Sequence, residues 1–135
     1  MFQIDSMSRE PVYEQIITQT ERLILTDILT SGMQIPSVRS VSMANSINPR
    51  TILKAYTDLD SRGLIQSVPG KGYFVCNVAK KNLMQKGREK LNDFKELLNE
   101  LVMSGVTREE IASCIDEAFS EIDKNKNLST GGERK

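Results

Sequence analysis

Residues 48–62 read Asn48-Pro49-Arg50-Thr51-Ile52-Leu53-Lys54-Ala55-Tyr56-Thr57-Asp58-Leu59-Asp60-Ser61-Arg62, and the rest of the chain is organised around them. Asn48 is a good helix N-cap. Pro49 suits the first helical position, where no backbone donor is needed. Ile52, Ala55, Tyr56 and Leu59 follow at helical spacing, so one face is apolar. Arg50, Thr51, Leu53, Lys54 and Thr57 fall on the other face. A polar, basic N-terminal end is what a helix needs to enter a major groove. An ordinary amphipathic surface helix shows the same pattern, so the flanks must decide.

Upstream, Ser37 can cap a short helix that reaches about Asn45, with Val38, Val41, Met43 and Ala44 as its apolar contacts and Arg39 near its start. Asn45-Ser46 makes a turn, and Ile47 packs inward before the Asn48 cap. Two helices, a tight turn and a longer polar-faced helix make a helix-turn-helix. Further upstream, Val12, Tyr13, Ile16, Ile17, Leu23, Ile24 and Ile28 mark another helix. It starts at Pro11 and is expected to end near Ser31-Gly32. Residues 1–10 read as a polar, extended lead-in. Downstream, Gly63 ends the central helix. Residues 64–68 and 73–76 then flank Pro69-Gly70-Lys71-Gly72, which predicts a β-hairpin with a basic tip. A hairpin directly after such a helix is the wing of a winged helix. Read as a phosphate-binding loop, Gly70-Lys71-Gly72 lacks the spacing, the trailing Ser/Thr and the helix that such a loop needs.

Beyond Ala79 the character changes. Leu83, Leu91, Phe94, Leu97, Leu98, Leu101 and Val102 predict a helix that breaks at Ser104-Gly105. Thr107 with Glu110 is a capping box for a second helix through Ile111, Ile115, Ala118, Phe119 and Ile122. Two helices cannot bury these faces by themselves. They need the N-terminal domain or another copy of the chain. The expected organisation is a winged helix-turn-helix over 1–79, a two-helix region over 80–124, to which the family resemblance described below assigns dimerisation, and a disordered polar tail over 125–135. The fold class is α+β, mostly helical.

The 135 residues are 39% hydrophobic and 27% charged, which fits a globular chain. No apolar run approaches a membrane span, and no signal peptide is read, so a cytoplasmic location is expected. The absence of histidine removes the usual general base, most zinc sites and any Ser-His triad. Cys76 and Cys114 are far apart and read as two buried free thiols. Net charge is zero, yet residues 36–75 hold five cations, Arg39, Arg50, Lys54, Arg62 and Lys71, against Asp58 and Asp60. That local excess is compatible with DNA binding. Tyr13, Tyr56 and Tyr73 sit in apolar patterns and read as core. No enzyme, cofactor or metal is implied. Two functional classes stay open on the residues: a DNA-binding regulator, or a winged helix that binds only proteins.

Pro11-Val12-Tyr13-Glu14-Gln15-Ile16, Ile35-Pro36-Ser37-Val38-Arg39, Asn48-Pro49-Arg50-Thr51, Lys54-Ala55-Tyr56-Thr57-Asp58-Leu59, Gly63-Leu64-Ile65 and Gly70-Lys71-Gly72-Tyr73-Phe74-Val75 form one ordered series over residues 8–78. The series resembles the GntR family of bacterial transcription regulators. The short C-terminal part resembles the YtrA-type subfamily, whose members lack a large effector domain. The resemblance implies a winged helix that binds operator DNA and C-terminal helices that dimerise. It also implies a regulator, commonly a repressor, of an operon such as a transporter or stress operon. Its implied DNA contacts fall on Ser37, Arg39, Asn48, Arg50, Thr51, Lys54, Gly70, Lys71 and Gly72. The lesser alternatives are that Asn48 and Thr51 are caps only and that Arg39 pairs with Asp58 or Asp60. Relatives often carry a polar or basic residue where this chain has Leu53. The implied dimer contacts are Leu91, Phe94, Leu97, Leu98, Leu101, Ile111, Ile115, Phe119 and Ile122. A small-molecule effector, where one exists, is expected between the C-terminal helices and the winged helix, with walls drawn from Met84, Phe94, Met103, Cys114 and Phe119.

Overall fold

The computed structural model describes residues 1–130, with side chains through Lys124. Among these residues the chain forms α1 (Val12–Leu25), α2 (Val38–Asn45), α3 (Pro49–Ser61), β1 (Ile65–Val68), β2 (Gly72–Val75), α4 (Ala79–Met103) and α5 (Arg108–Thr130). They fall into two compact units that divide after Gln85. The fold class is the one the patterning implies: mostly helical, with one small antiparallel hairpin.

The first unit is built on the apolar faces of α1 and α3. Ile16, Ile24, Ile52, Ala55, Tyr56 and Leu59 are buried and share one core with Leu29, Ile35, Val41 and Ile65. Helix α1 is shorter than its periodicity predicts. Ile28 continues the apolar spacing, but Asp27 takes a left-handed φ of 62° and turns the chain at Thr26. Aspartate tolerates that conformation better than most residues. The amides of Ile28 and Leu29 then both donate to the Leu23 carbonyl, and Leu29 turns into the core. Gly32 lies further on, with φ 83°, where the chain enters the wing.

β1 and β2 pair from Ile65↔Val75 to Val68↔Gly72. Residues 32–35 add a third extended segment. Gly32 N–H donates to the Val75 carbonyl, Val75 N–H to Met33 and Ile35 N–H to Tyr73, with Gln34 opposite Phe74. The N-terminal lead-in is also fixed. Phe2 is buried. The Gln15 side chain accepts from Asp5 N–H and donates to the carbonyls of Asp5 and Glu10, while Gln19 and Gln3 exchange two further bonds.

In the second unit the Thr107/Glu110 capping box forms as expected, each residue's side chain accepting from the other's amide. Ala79 and Leu83, at the start of α4, belong to the core of the first unit. Helix α5 runs to Thr130, so the backbone of residues 125–130 is helical where a polar tail was expected. Lys126 and Leu128 favour helix, and α5 contains no Gly or Pro to stop it, so the helix continues. Residues 131–135 of that expected tail lie outside the described residues. Cys76 is half-buried, but Cys114 is exposed, against the expectation of two buried thiols.

Candidate nucleic-acid interface

Helix α2 begins at Ser37, whose hydroxyl accepts from Ser40 N–H at 3.1 Å. It ends at Ser46, which adopts a left-handed φ of 54°. That reversal sends the chain through Ile47 into Asn48, whose side chain caps α3 by accepting from Arg50 N–H at 2.9 Å. Ser37 and Asn48 therefore each have a capping role, and Arg39 and Arg50 project from the first turns that they cap. Tyr56 locks this step to the rest of the unit. Its hydroxyl donates to the Pro36 carbonyl at 2.6 Å, and its ring meets Tyr73 of the wing edge-on at 5.0 Å. Tyr56 is fully buried, and Tyr13 and Tyr73 are half-buried against the core.

On α3, Ile52, Ala55, Tyr56 and Leu59 are buried, whereas Arg50, Leu53, Lys54 and Thr57 are exposed and Thr51 is half-buried. The Lys54 ammonium lies 4.4 Å from the centre of the Tyr13 ring, a cation–π contact that holds the side chain against α1. The ion pairs among the described residues join Arg62 to Asp58 (2.6 Å) and Glu21 (3.9 Å), and Lys80 to Asp27 (2.8 Å). Asp58 is thus taken by Arg62 rather than Arg39. Arg39, Arg50, Lys54 and Lys71 join no ion pair among the described residues. The Arg62 and Lys80 charges are neutralised locally, whereas these four meet no carboxylate among the described residues.

At the wing tip Gly70 and Gly72 have φ of 76° and 121°. Lys71 N–H closes the turn on the Val68 carbonyl at 2.9 Å, and its side chain is exposed. Gln34 braces the tip from the third segment, donating to the Lys71 carbonyl at 2.9 Å. The φ of Gly72 favours glycine, and a Cβ there would stand 2.8 Å from the Gln34 amide nitrogen, so that side chain would have to move. Sequence reading missed Gln34, because a four-residue pairing with a distant strand leaves no local period. It also missed Gln15 and Gln19. Their signal was a polar residue at core spacing, Val12-x-x-Gln15-x-x-x-Gln19, which marks amides that must find partners inside.

Most of the apolar side chains expected at a dimer interface are uncovered. From Lys86 to Lys124 no residue is buried. Leu91, Phe94, Leu97, Ile115, Phe119 and Ile122 are exposed, while Leu98, Leu101 and Ile111 are half-buried. Phe94, Leu98, Ile111, Cys114 and Phe119 line an open apolar groove of about 510 Å³ between α4 and α5. Met84 and Met103, the other two suggested ligand walls, are exposed and do not line it. Among the described residues there is no cluster of three metal-ligating side chains, and no helix is long and apolar enough to cross a membrane.

A capped two-helix step, a longer helix with exposed cations and a glycine-tipped hairpin together define a winged helix-turn-helix, a DNA-binding class. The sequence pattern described as "Bacterial regulatory proteins, gntR family" matches residues 12–75, and the chain belongs to that family. It is 35% identical over 130 residues to the HTH-type transcriptional repressor YtrA of Bacillus subtilis (strain 168), covering 93% of this chain and 98% of that one. Among solved structures, a transcriptional antiterminator from Listeria monocytogenes EGD-e is 34% identical with a TM-score of 0.68, over 90% of this chain and 92% of the other. A GntR-family transcription factor, YtrA from Sulfolobus acidocaldarius, is 26% identical with a TM-score of 0.51, over 90% of this chain and 99% of the other. The chain is therefore a DNA-binding transcription regulator of the GntR family.

Proposed function

We propose that this regulator is a cytoplasmic repressor that binds a palindromic operator as a homodimer. The reading rests above all on the paired set of exposed cations: Arg39 and Arg50 at two capped helix starts, and Lys71 on a braced hairpin tip. Ser37, Asn48 and Thr51 present their helix starts to phosphates, Lys54 adds charge one turn on, and Gly70 and Gly72 let the wing backbone approach closely. Arg39 and Arg50 suit guanine or phosphate, and Lys71 suits the backbone or minor groove. The similarity to a Bacillus subtilis repressor over nearly the full length supports repression. Release by a small effector completes the proposal. Such a ligand must bind the free dimer more tightly than the DNA-bound dimer, by the same factor that it weakens operator binding.

The test is affinity for duplex DNA from upstream of the protein's own gene, measured at two salt concentrations. A repressor of this kind loses affinity steeply as salt rises, through counterion release. Arg50→Ala or Arg39→Ala should cost roughly 1–3 kcal/mol on the specific duplex, while Lys71→Ala should weaken all duplexes alike and lower the salt slope by about one. Salt-independent binding, or wild-type affinity in all three variants, would remove this face as the reader and favour a protein partner instead.

A further inference from the structure

α3 has one large exposed apolar side chain, Leu53, which is 47% exposed. Its other apolar core-spacing residues, Ile52, Ala55, Tyr56 and Leu59, are all buried. Leu53 is also absent from the hydrophobics that pack against the core. It lies one turn after Arg50 and one turn before Thr57, both exposed. A lone exposed leucine on an ordinary surface calls for no explanation. This one stands on the helix face whose cations, Arg50 and Lys54, join no ion pair among the described residues.

Leucine has neither donor nor acceptor. The one feature of a major groove that it can recognise favourably is the C5-methyl of thymine. Against cytosine N4 or adenine N6 it would strip water from a donor and return nothing, which penalises those bases. We propose that Leu53 is a specificity-determining residue that packs on a thymine methyl in each half-site. The inference rests on the operator-binding reading above and assigns to that helix a base that Arg50 and Lys54 cannot read.

The experiment uses the full chain and a random duplex pool. Sequences enriched by the protein are remade with each thymine in turn replaced by deoxyuridine, which removes only the methyl. At one thymine per half-site the replacement should lower wild-type affinity about fourfold, the worth of one buried methyl-sized group. Leu53→Ala should bind the thymine duplex correspondingly less well and be indifferent to deoxyuridine there. Leu53→Gln should shift the preferred base at that position toward adenine, whose N6/N7 edge glutamine can grip. Enriched sequences with no methyl-sensitive thymine, or a Leu53→Ala protein that keeps full sensitivity, would overturn the role of Leu53 while leaving operator binding intact. A pool in which nothing is enriched would overturn both.

Discussion

Tyr56 shows how one residue carries the geometry of the reading face. Its hydroxyl is spent on the Pro36 carbonyl just before α2, and its ring supports Tyr73 of the wing. Burial, and then the neighbouring Tyr73, push its pKa well above the ordinary 10.0. The folded chain therefore holds the phenolic proton after the unfolded chain has released it. Stability from this group is fully present below about pH 10 and is lost as pH rises beyond it. Tyr56→Phe leaves the Pro36 carbonyl without its donor and should cost about 1–3 kcal/mol near neutral pH. It should also flatten the alkaline decline. Denaturant titrations at about pH 8 and about pH 11 check both; a variant as alkali-sensitive as wild type would show that another group sets the decline. The apolar period of α3 made Tyr56 legible as core, and the caps Ser37 and Asn48 were legible from residue type. The Lys54–Tyr13 contact was not, because it joins helices brought together only by the tertiary fold.

At the scale of elements, helix faces were legible and helix ends less so. The period of α1 runs through Ile28, but a left-handed Asp27 stops the helix after Leu25, and no apolar pattern encodes that choice. The wing was legible as two strands and proved to have a third segment, from which Gln34 braces the tip. That brace gives a direct test. Gly70 and Gly72 both have positive φ, so alanine at either strains the backbone by about 1–3 kcal/mol. Only at Gly72 does the new Cβ also meet a neighbour, the Gln34 amide at 2.8 Å, whereas nothing lies within 4 Å at Gly70. Gly72→Ala must displace Gln34 and break its bond to the Lys71 carbonyl. It should therefore destabilise the protein by about 1 kcal/mol more than Gly70→Ala, one hydrogen bond's worth. Equal losses in chemical denaturation would mean that Gln34 swings aside freely and does not hold the tip.

At the scale of the molecule, the question is what covers α4 and α5. The described side chains from Lys86 onward bury nothing fully, and Phe119 is 70% exposed, Leu91 66% and Ile122 52%. A helical hairpin keeps such a face in water only at a large hydrophobic cost, and a second copy meeting it about a two-fold axis removes that cost on both chains. Two-fold symmetry also matches a palindrome whose half-sites lie about one DNA turn, ~34 Å, or a multiple of it, apart. Sedimentation of the full chain at micromolar concentration should give a dimer. The sequence alone suggests cutting at Ala79 to isolate the reading domain. The structure moves the cut to Gln85, because Ala79 and Leu83 belong to the N-terminal core and Lys80 pairs with Asp27. The 1–85 fragment should be folded and monomeric, and should bind a single half-site weakly. Phe119→Asp in the full chain should also give a monomer, since a charge in an apolar interface is left unpaired, yet its helices should persist because the Phe119 side chain is mostly exposed within its own chain. A monomeric full-length protein, or a dimeric 1–85 fragment, would show that these helices are not the dimer interface.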